Sequence, residues 1–160
     1  MPRQTWVNLL VWHPEDPLNS LNPLGLGGPL PRVLQVVRDG EAGPPGVILR
    51  PDEPLRQAAA RVTAALGLRA PAQPAQPAPL LAIDQRPSGR GGDVEQMVLV
   101  LDGGTPPTEE LPPCGGCGRF HLVWTPLEEV EQPALVHALR ARVRGGQPPT
   151  LWCGEPVAGG

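Results

Sequence analysis

The chain has 160 residues, of which 40% are hydrophobic, and a formal net charge of -3 at pH 7. That length supports one domain with a sizeable core, and the mild acidity gives no electrostatic case for binding nucleic acid or a membrane surface. The 24 prolines and 20 glycines are unevenly spread. We therefore expect a single domain over residues 1–160, with a core at about 5–155 and long Pro/Gly-rich loops.

The sequence contains no recognisable targeting signal. No stretch is apolar for long enough to span a membrane, and the N-terminus lacks the cleavage pattern of a signal peptide. The three cysteines, an odd number, do not indicate a secreted disulfide scaffold. We expect a cytoplasmic protein.

The first half of the chain alternates apolar segments with turns. Three segments are rich in apolar and β-branched residues and predict strands: 5–12, 32–38 and 46–49. A turn-rich loop over 19–31 separates the first two. Asp39-Gly40 and Pro44-Pro45 predict a turn over 38–46.

A helix is predicted within residues 46–68, GVILRPDEPLRQAAARVTAALGL. Asp52 or Glu53 can cap it, and Pro54 suits a first turn in which the missing N–H is not needed. Its apolar residues recur at helical spacing and form one face. Gly67 is typical of a helix C-terminus.

The second half begins with a proline-rich connector at 71–79, PAQPAQPAP, which we expect to be extended. We predict strands, a loop, a second helix and a last extended segment in this order: 80–84, loop 85–93, 94–104, 119–124, helix 133–144 and 149–157. Strands that alternate irregularly with two helices favour an α/β fold with a mixed sheet and helices on its faces.

The order of these pieces resembles the Nudix hydrolases. The acidic pair Asp52-Glu53, the alanine-rich helix, Gly67-Leu68 and the strand LLAID follow one another as in that family. MVLVLDGG, FHLVWTPLEEV and LVHALRARVRGGQPPTLWCGEPV look like its later strands and terminal helix. The resemblance covers about residues 5–155. It implies a Nudix-like α/β/α sandwich and a homodimer.

The signature of that family is Gly-x5-Glu-x7-Arg-Glu-U-x-Glu-Glu-x-Gly-U, where U is apolar. Its helix glutamates hold divalent cations beside a diphosphate. Mg²⁺ takes oxygen ligands in near-octahedral array, and carboxylates three or four residues apart share one helix face. The metal then offsets phosphate charge and activates water.

Two registers align the sequence with this signature. Anchored at Gly67-Leu68, the first Gly is Gly46, the first Glu is Asp52, and Arg is replaced by Ala60. The helix glutamates are then replaced by Arg61, Ala64 and Ala65. Anchored at Glu53, one residue is missing and Arg61 matches the Arg. The helix glutamates are then replaced by Val62, Ala65 and Leu66.

Every helix carboxylate is absent in both registers. Asp52 and Glu53 are therefore the candidate catalytic acids, although an acid at a helix start is commonly a cap. Arg61 could hold a phosphate or carboxylate through its planar fork, or it could pair with one of these two acids. The cofactor stays open, because Mg²⁺ and Mn²⁺ lack their helix ligands.

Other residues are candidates for ligand binding. The tryptophans are core residues or pocket walls, and Trp12, near a strand end, is the best placed to stack on a flat ligand. Arg86 and Arg90 lie in a glycine-rich loop that could contact an anion.

Cys114-Gly-Gly-Cys117 has the spacing of a thiolate pair for zinc. His121 and Cys153 could complete four ligands if the C-terminal segment folds back. The alternatives are a redox-active pair or free thiols in a glycine-rich loop.

Three functions are therefore open. The first is a degenerate Nudix-fold protein that has lost metal-dependent hydrolysis and keeps a pocket for a small molecule or a partner protein, or has a non-hydrolytic role in bacterial metabolism. The second is an active hydrolase of a nucleoside diphosphate-type substrate that uses Asp52, Glu53 or later acids: Asp93, Glu95, Glu109, Glu110, Glu128 and Glu129. The third is a protein-interaction module with a Cys-rich zinc loop.

Overall fold

The computed structural model describes residues 3–13, 31–68, 79–88, 94–106, 108, 110–112 and 119–158. The strands in these ranges are β1 (Arg3–His13), β2 (Arg32–Arg38), β3 (Glu41–Gly43), β4 (Gly46–Ile48), β5 (Leu80–Arg86), β6 (Glu95–Gly104), β7 (His121–Pro126), β8 (Thr150–Trp152) and β9 (Glu155–Pro156). The helices are α1 (Leu55–Ala65) and α2 (Pro133–Arg144), and a 3₁₀ turn covers Leu127–Glu129.

The strands form one mixed sheet around β1. Its order is β3-β2-β1-β6-β5-β8-β9, with β4 also paired to β1 and β7 to β2. β1 runs parallel to β6, and β5 runs parallel to β8, whereas the other pairs are antiparallel. A register shift between Leu10 and Val11 precedes the end of β1, where Trp12 and His13 pair with β2. The predicted mixed sheet is confirmed.

The sheet separates two apolar cores, because successive side chains of a strand point to opposite faces. On one face, Val7, Leu9 and Val11 of β1 pack in a cluster with the buried residues of α1. On the other face, Leu10 packs in a cluster with the buried residues of α2. One helix on each side of the sheet gives the predicted α/β/α sandwich.

The start of α1 differs from its prediction, and its end agrees. Pro54 is the N-cap, and it makes no side-chain capping hydrogen bond. The expected cap by Asp52 or Glu53 is therefore wrong, because Glu53 accepts its hydrogen bonds from Arg50 and Arg61. At the other end Gly67 has φ of 66°, the left-handed conformation that glycine adopts without strain.

Some strands differ from the predicted ones in their bounds or were not predicted, because pairing with neighbouring strands determines where they form. β3 lies inside the predicted turn over 38–46, and β5 continues to Arg86, into the predicted loop. The C-terminal extended segment is a hairpin, β8 and β9, that turns at Cys153-Gly154. The connector 71–78 lies outside the described residues, and no described helix is long and apolar enough to cross a membrane.

Candidate functional site

A cavity of about 340 Å³ lies beside α1, and we call it the α1 cavity. The β2–β3 hairpin and β4 also contribute to its lining. Its apolar side chains include Trp6, Val36, Val47, Val62 and Leu66. Its two charged side chains among the described residues are Arg38 and Glu41, which are register partners in the hairpin.

The cavity distinguishes the two signature registers. The helix residues that line it are Val62, Ala65 and Leu66. These are the three positions of the helix glutamates in the register anchored at Glu53. In the other register two of the three positions would be Arg61 and Ala64, and neither is among the described lining residues. The geometry therefore favours the Glu53 register.

An ion pair between Glu53 and Arg61 supports the same register. Arg61 Nε donates to Oε1 at 2.9 Å and Nη2 donates to Oε2 at 2.8 Å. Nη2 also donates to the carbonyl oxygen of Ile48 at 2.9 Å. In this register the paired residues are the first Glu and the Arg of the signature. The fork of Arg61 is thus directed at Glu53, one of the alternatives expected for it.

The electrostatics of this pair are consistent with its geometry. The Glu53 side chain is 8% exposed and that of Arg61 is 30% exposed. Hydrogen bonds from Arg61, and then from the backbone N–H of Arg50, lower the pKa of Glu53 from 4.5 to about 2. The hydrogen bonds to Glu53 raise the pKa of Arg61. Both side chains are therefore charged over the whole neutral range.

The donor set of the α1 cavity does not fit a resident Mg²⁺ or Mn²⁺. Such ions need several oxygen ligands. Glu41 is the one carboxylate among the described lining residues, and α1 itself contains no acid. Among the residues that the structure describes, no group of three or more His, Cys, Asp or Glu could hold a metal ion.

The predicted catalytic acids lie outside the described lining of the α1 cavity. Asp52 is exposed and has φ of 60° in the turn before α1. Glu53 is held by Arg61. Of the later acids, Glu95 pairs with Arg3 at 3.1 Å, and Glu110, Glu128 and Glu129 are exposed. Asp93 and Glu109 fall outside the described residues, so a catalytic role for any of these acids stays a prediction.

The predicted ligand-binding residues occupy separate places. Trp12 and Trp6 are both half-buried and pack against the core on the α2 side, and of the two only Trp6 is also among the described residues that line the α1 cavity. Arg86 Nε donates to Asp84 Oδ2 at 2.9 Å, and the fully buried Asp84 also accepts from the backbone of Gly154. Arg90 lies outside the described residues.

The predicted zinc ligands are only partly described. His121 lies on β7, and Cys153 lies in the β8–β9 turn, with β2, β1, β6 and β5 between those strands in the sheet order. Cys114 and Cys117 lie outside the described residues. A zinc site on those two cysteines stays a prediction.

A second cleft, of about 780 Å³, lies beside the β2–β3 turn and the start of β7. Arg38 lines both this cleft and the α1 cavity. Its guanidinium carbon lies 5.5 Å from the centroid of the Phe120 ring, a cation–π contact. The sequence prediction missed Arg38, although its place two residues after Val36 puts both on one face of β2.

Neither a family model nor a curated protein matches the sequence. Solved structures do match. An ADP-ribose pyrophosphatase from Streptococcus suis has a TM-score of 0.55 at 14% identity, with 93% of this chain and 98% of that chain covered. The Nudix domain of Shewanella oneidensis NrtR, in a cocrystal with ADP-ribose, has 0.55 at 17%, with 89% and 90% covered.

A Nudix hydrolase from Nitrosomonas europaea has a TM-score of 0.54 at 13% identity, with 98% of this chain and 94% of that chain covered. Identities this low carry information about the chain path and none about activity. The three likenesses each span nearly the whole chain. The fold of this chain is the Nudix fold.

Proposed function

We propose that this Nudix-fold chain does not catalyse metal-dependent diphosphate hydrolysis and uses the α1 cavity to bind a ligand. One observation carries the proposal: Val62, Ala65 and Leu66 line the cavity at the three positions of the signature's helix glutamates. None of these side chains has an atom that can coordinate a hard cation. A metal that offsets phosphate charge and activates water has no helix ligands here.

Packing supports the same conclusion. Val62 is 1% exposed and Leu66 is 8% exposed, and both belong to the apolar cluster on the α1 side. A carboxylate at either position would lose its hydration, which is costly. These positions therefore serve the core of the protein.

A binding role is supported by the shape of the site. Small-molecule sites are concave, mostly apolar and commonly 300–1,000 Å³, and the α1 cavity has about 340 Å³. A common fold can serve unrelated functions, including a non-hydrolytic step in bacterial metabolism. A homodimer, implied by the family resemblance, stays a prediction that light scattering can test.

The experiment is a titration of the purified chain with Mg²⁺ and Mn²⁺, followed by an activity assay. Calorimetry should show no specific uptake of either ion. A panel of nucleoside diphosphate-type compounds that includes ADP-ribose should show no turnover, while an active ADP-ribose pyrophosphatase in parallel proves the assay. Stoichiometric metal binding together with hydrolysis would overturn the proposal.

A further inference from the structure

We propose that the α1 cavity takes a small uncharged aromatic molecule and discriminates against phosphorylated ones. This inference rests on the proposed function, since it names the class of ligand for the same cavity. It is carried by the chemistry of the cavity walls, by their balance of charge and by the contacts that already occupy the nearby arginines.

Three elements contribute apolar residues to the cavity walls. α1 contributes Val62 and Leu66, β4 contributes Val47, and β1 contributes Trp6, whose half-buried side chain also packs against the core on the α2 side. An aromatic ring that enters such a space exchanges water for apolar contacts and can pack against the indole in an offset or edge-on arrangement. A volume of about 340 Å³ is at the small end of ligand sites, which suits a small molecule of up to three rings.

The charges of the cavity cancel. Arg38 and Glu41 have opposite signs and are directly paired in the register of β2 and β3. The walls formed by the described residues therefore have no formal net charge. A phosphorylated ligand would lose its hydration on entering a site whose walls have no net positive charge to attract it, which is unfavourable.

The nearby arginines already have partners. The guanidinium of Arg38 stacks over Phe120. Arg61, on the helix that lines the cavity, is bound by the carboxylate of Glu53 through two hydrogen bonds. An anion would compete with these contacts, whereas an uncharged ring leaves them intact.

Two dyes with the same ring system test the charge preference. N-phenyl-1-naphthylamine is uncharged, and 8-anilinonaphthalene-1-sulfonate has an added sulfonate. Both fluoresce more strongly in an apolar site. The uncharged dye should bind saturably with a Kd at least about tenfold lower than that of the sulfonate. Equal affinity, or tighter binding of the sulfonate, would overturn the proposal.

Two neighbouring helix residues locate the bound dye. Ala65 lines the cavity and Ala64 does not, although both are exposed. Ala65→Phe should fill the entrance and raise the Kd of the uncharged dye by about tenfold, and Ala64→Phe should leave it nearly unchanged. Equal effects of the two substitutions would contradict binding in this cavity.

A measurement on the unaltered protein covers the case in which Ala65→Phe fails to fold. The uncharged dye should shift the backbone amide NMR signals of Gly43 and Gly46, which line the cavity, and leave those of Gly104 and Gly154 in place. Shifts at Gly104 and Gly154 without shifts at Gly43 and Gly46 would contradict the inference. Turnover of a diphosphate would overturn the proposed function itself, whereas an inactive chain that ignores the uncharged dye would overturn this inference alone.

Discussion

Arg61 binds Glu53 through two parallel hydrogen bonds of 2.9 and 2.8 Å, across seven intervening residues. The same guanidinium donates to the carbonyl oxygen of Ile48 in β4. Bidentate pairs of this kind fix orientation as well as proximity. The contact therefore joins the middle of α1 to the turn before it and to the neighbouring strand. It holds the helix in place over the sheet.

The first prediction concerns pH. Glu53 has a pKa of about 2 in the folded protein against an ordinary 4.5, so its contribution to stability is complete above about pH 4.5. That contribution is lost as the pH falls from there toward about 2. Glu53→Gln should lower the free energy of unfolding at neutral pH, and the difference from wild type should shrink below pH 4.5.

Urea unfolding across that pH range measures the difference. If the difference in the free energy of unfolding between wild type and Glu53→Gln stays constant down to pH 2, the ionised pair is not the cause of that difference. Glu110→Gln is the matched control, because Glu110 is exposed, and this variant should follow wild type closely at every pH.

The second prediction concerns close backbone approach at Gly46. A Cβ there would lie 2.1 Å from Oδ1 of Asn8, whose side chain is buried. Gly46→Ala should therefore destabilise the protein by about 1–3 kcal/mol. Gly43→Ala lies in a nearby strand, and among the described residues no atom lies within 4 Å of the new Cβ, so it should change stability by less than about 0.5 kcal/mol.

The clash can be tested by removing its other side. In the Asn8→Ala background the cost of Gly46→Ala should fall, because the carboxamide is gone, and a double-mutant cycle measures this coupling. Strict additivity of the two substitutions would show that the contact is not the source of the cost.

The third prediction restores a signature carboxylate. Val62→Glu places an acid at a position that is 1% exposed, so it should cost about 3–5 kcal/mol at neutral pH. The penalty should diminish in acid, where the new side chain becomes neutral. Ala64→Glu, on the exposed surface of the same helix, should change stability by less than about 0.5 kcal/mol.

Adding Mg²⁺ makes this variant diagnostic. We expect millimolar Mg²⁺ to leave the melting temperature of Val62→Glu unchanged, because one restored carboxylate does not complete an oxygen ligand set. Stabilisation by Mg²⁺ that is absent from wild type would show that the cavity can assemble a metal site after all.

The fourth prediction concerns Asp84, which is fully buried and accepts from Arg86 Nε and from Gly154 N, both at 2.9 Å. Asp84→Ala should cost about 3 kcal/mol, because it leaves a buried N–H without its acceptor and opens a cavity. Thermal unfolding measures the loss.

An exposed ion pair serves as the control for the loss of stability expected of Asp84→Ala. Glu95 binds Arg3 at 3.1 Å in an exposed ion pair, so Glu95→Gln should cost at most about 1 kcal/mol. Comparable losses in the two variants would mean that burial does not set the importance of Asp84.

Local sequence patterns were sufficient to predict some helices and strands and insufficient to predict others. β2 occupies its predicted range because an apolar run lies between two loops, and α2 begins at Pro133 because proline suits a first helical turn. β3 was missed because Glu41–Gly43 has no β-branched residue. Its pairing depends on the turn at Asp39-Gly40, where φ is 52° and 81°, a sequence that favours a two-residue hairpin.

The site required information that a single sequence does not contain. Both signature registers are compatible with the residues, and the choice between them depends on which side chains line the α1 cavity and on the contact between Glu53 and Arg61. The tryptophans pose the same problem. Trp6 and Trp12 are an even number of residues apart on β1, so strand alternation alone cannot say which one borders a cavity.

The salt bridge that anchors α1 has a consequence for how such proteins are recognised. Positioning of the helix and metal chemistry at the helix depend on different side chains, so a chain can have the first without the second. A pattern built on the glutamates passes over a chain of this kind. The contact that positions the helix is instead written in the sequence as Glu53-x7-Arg61 ahead of Gly67.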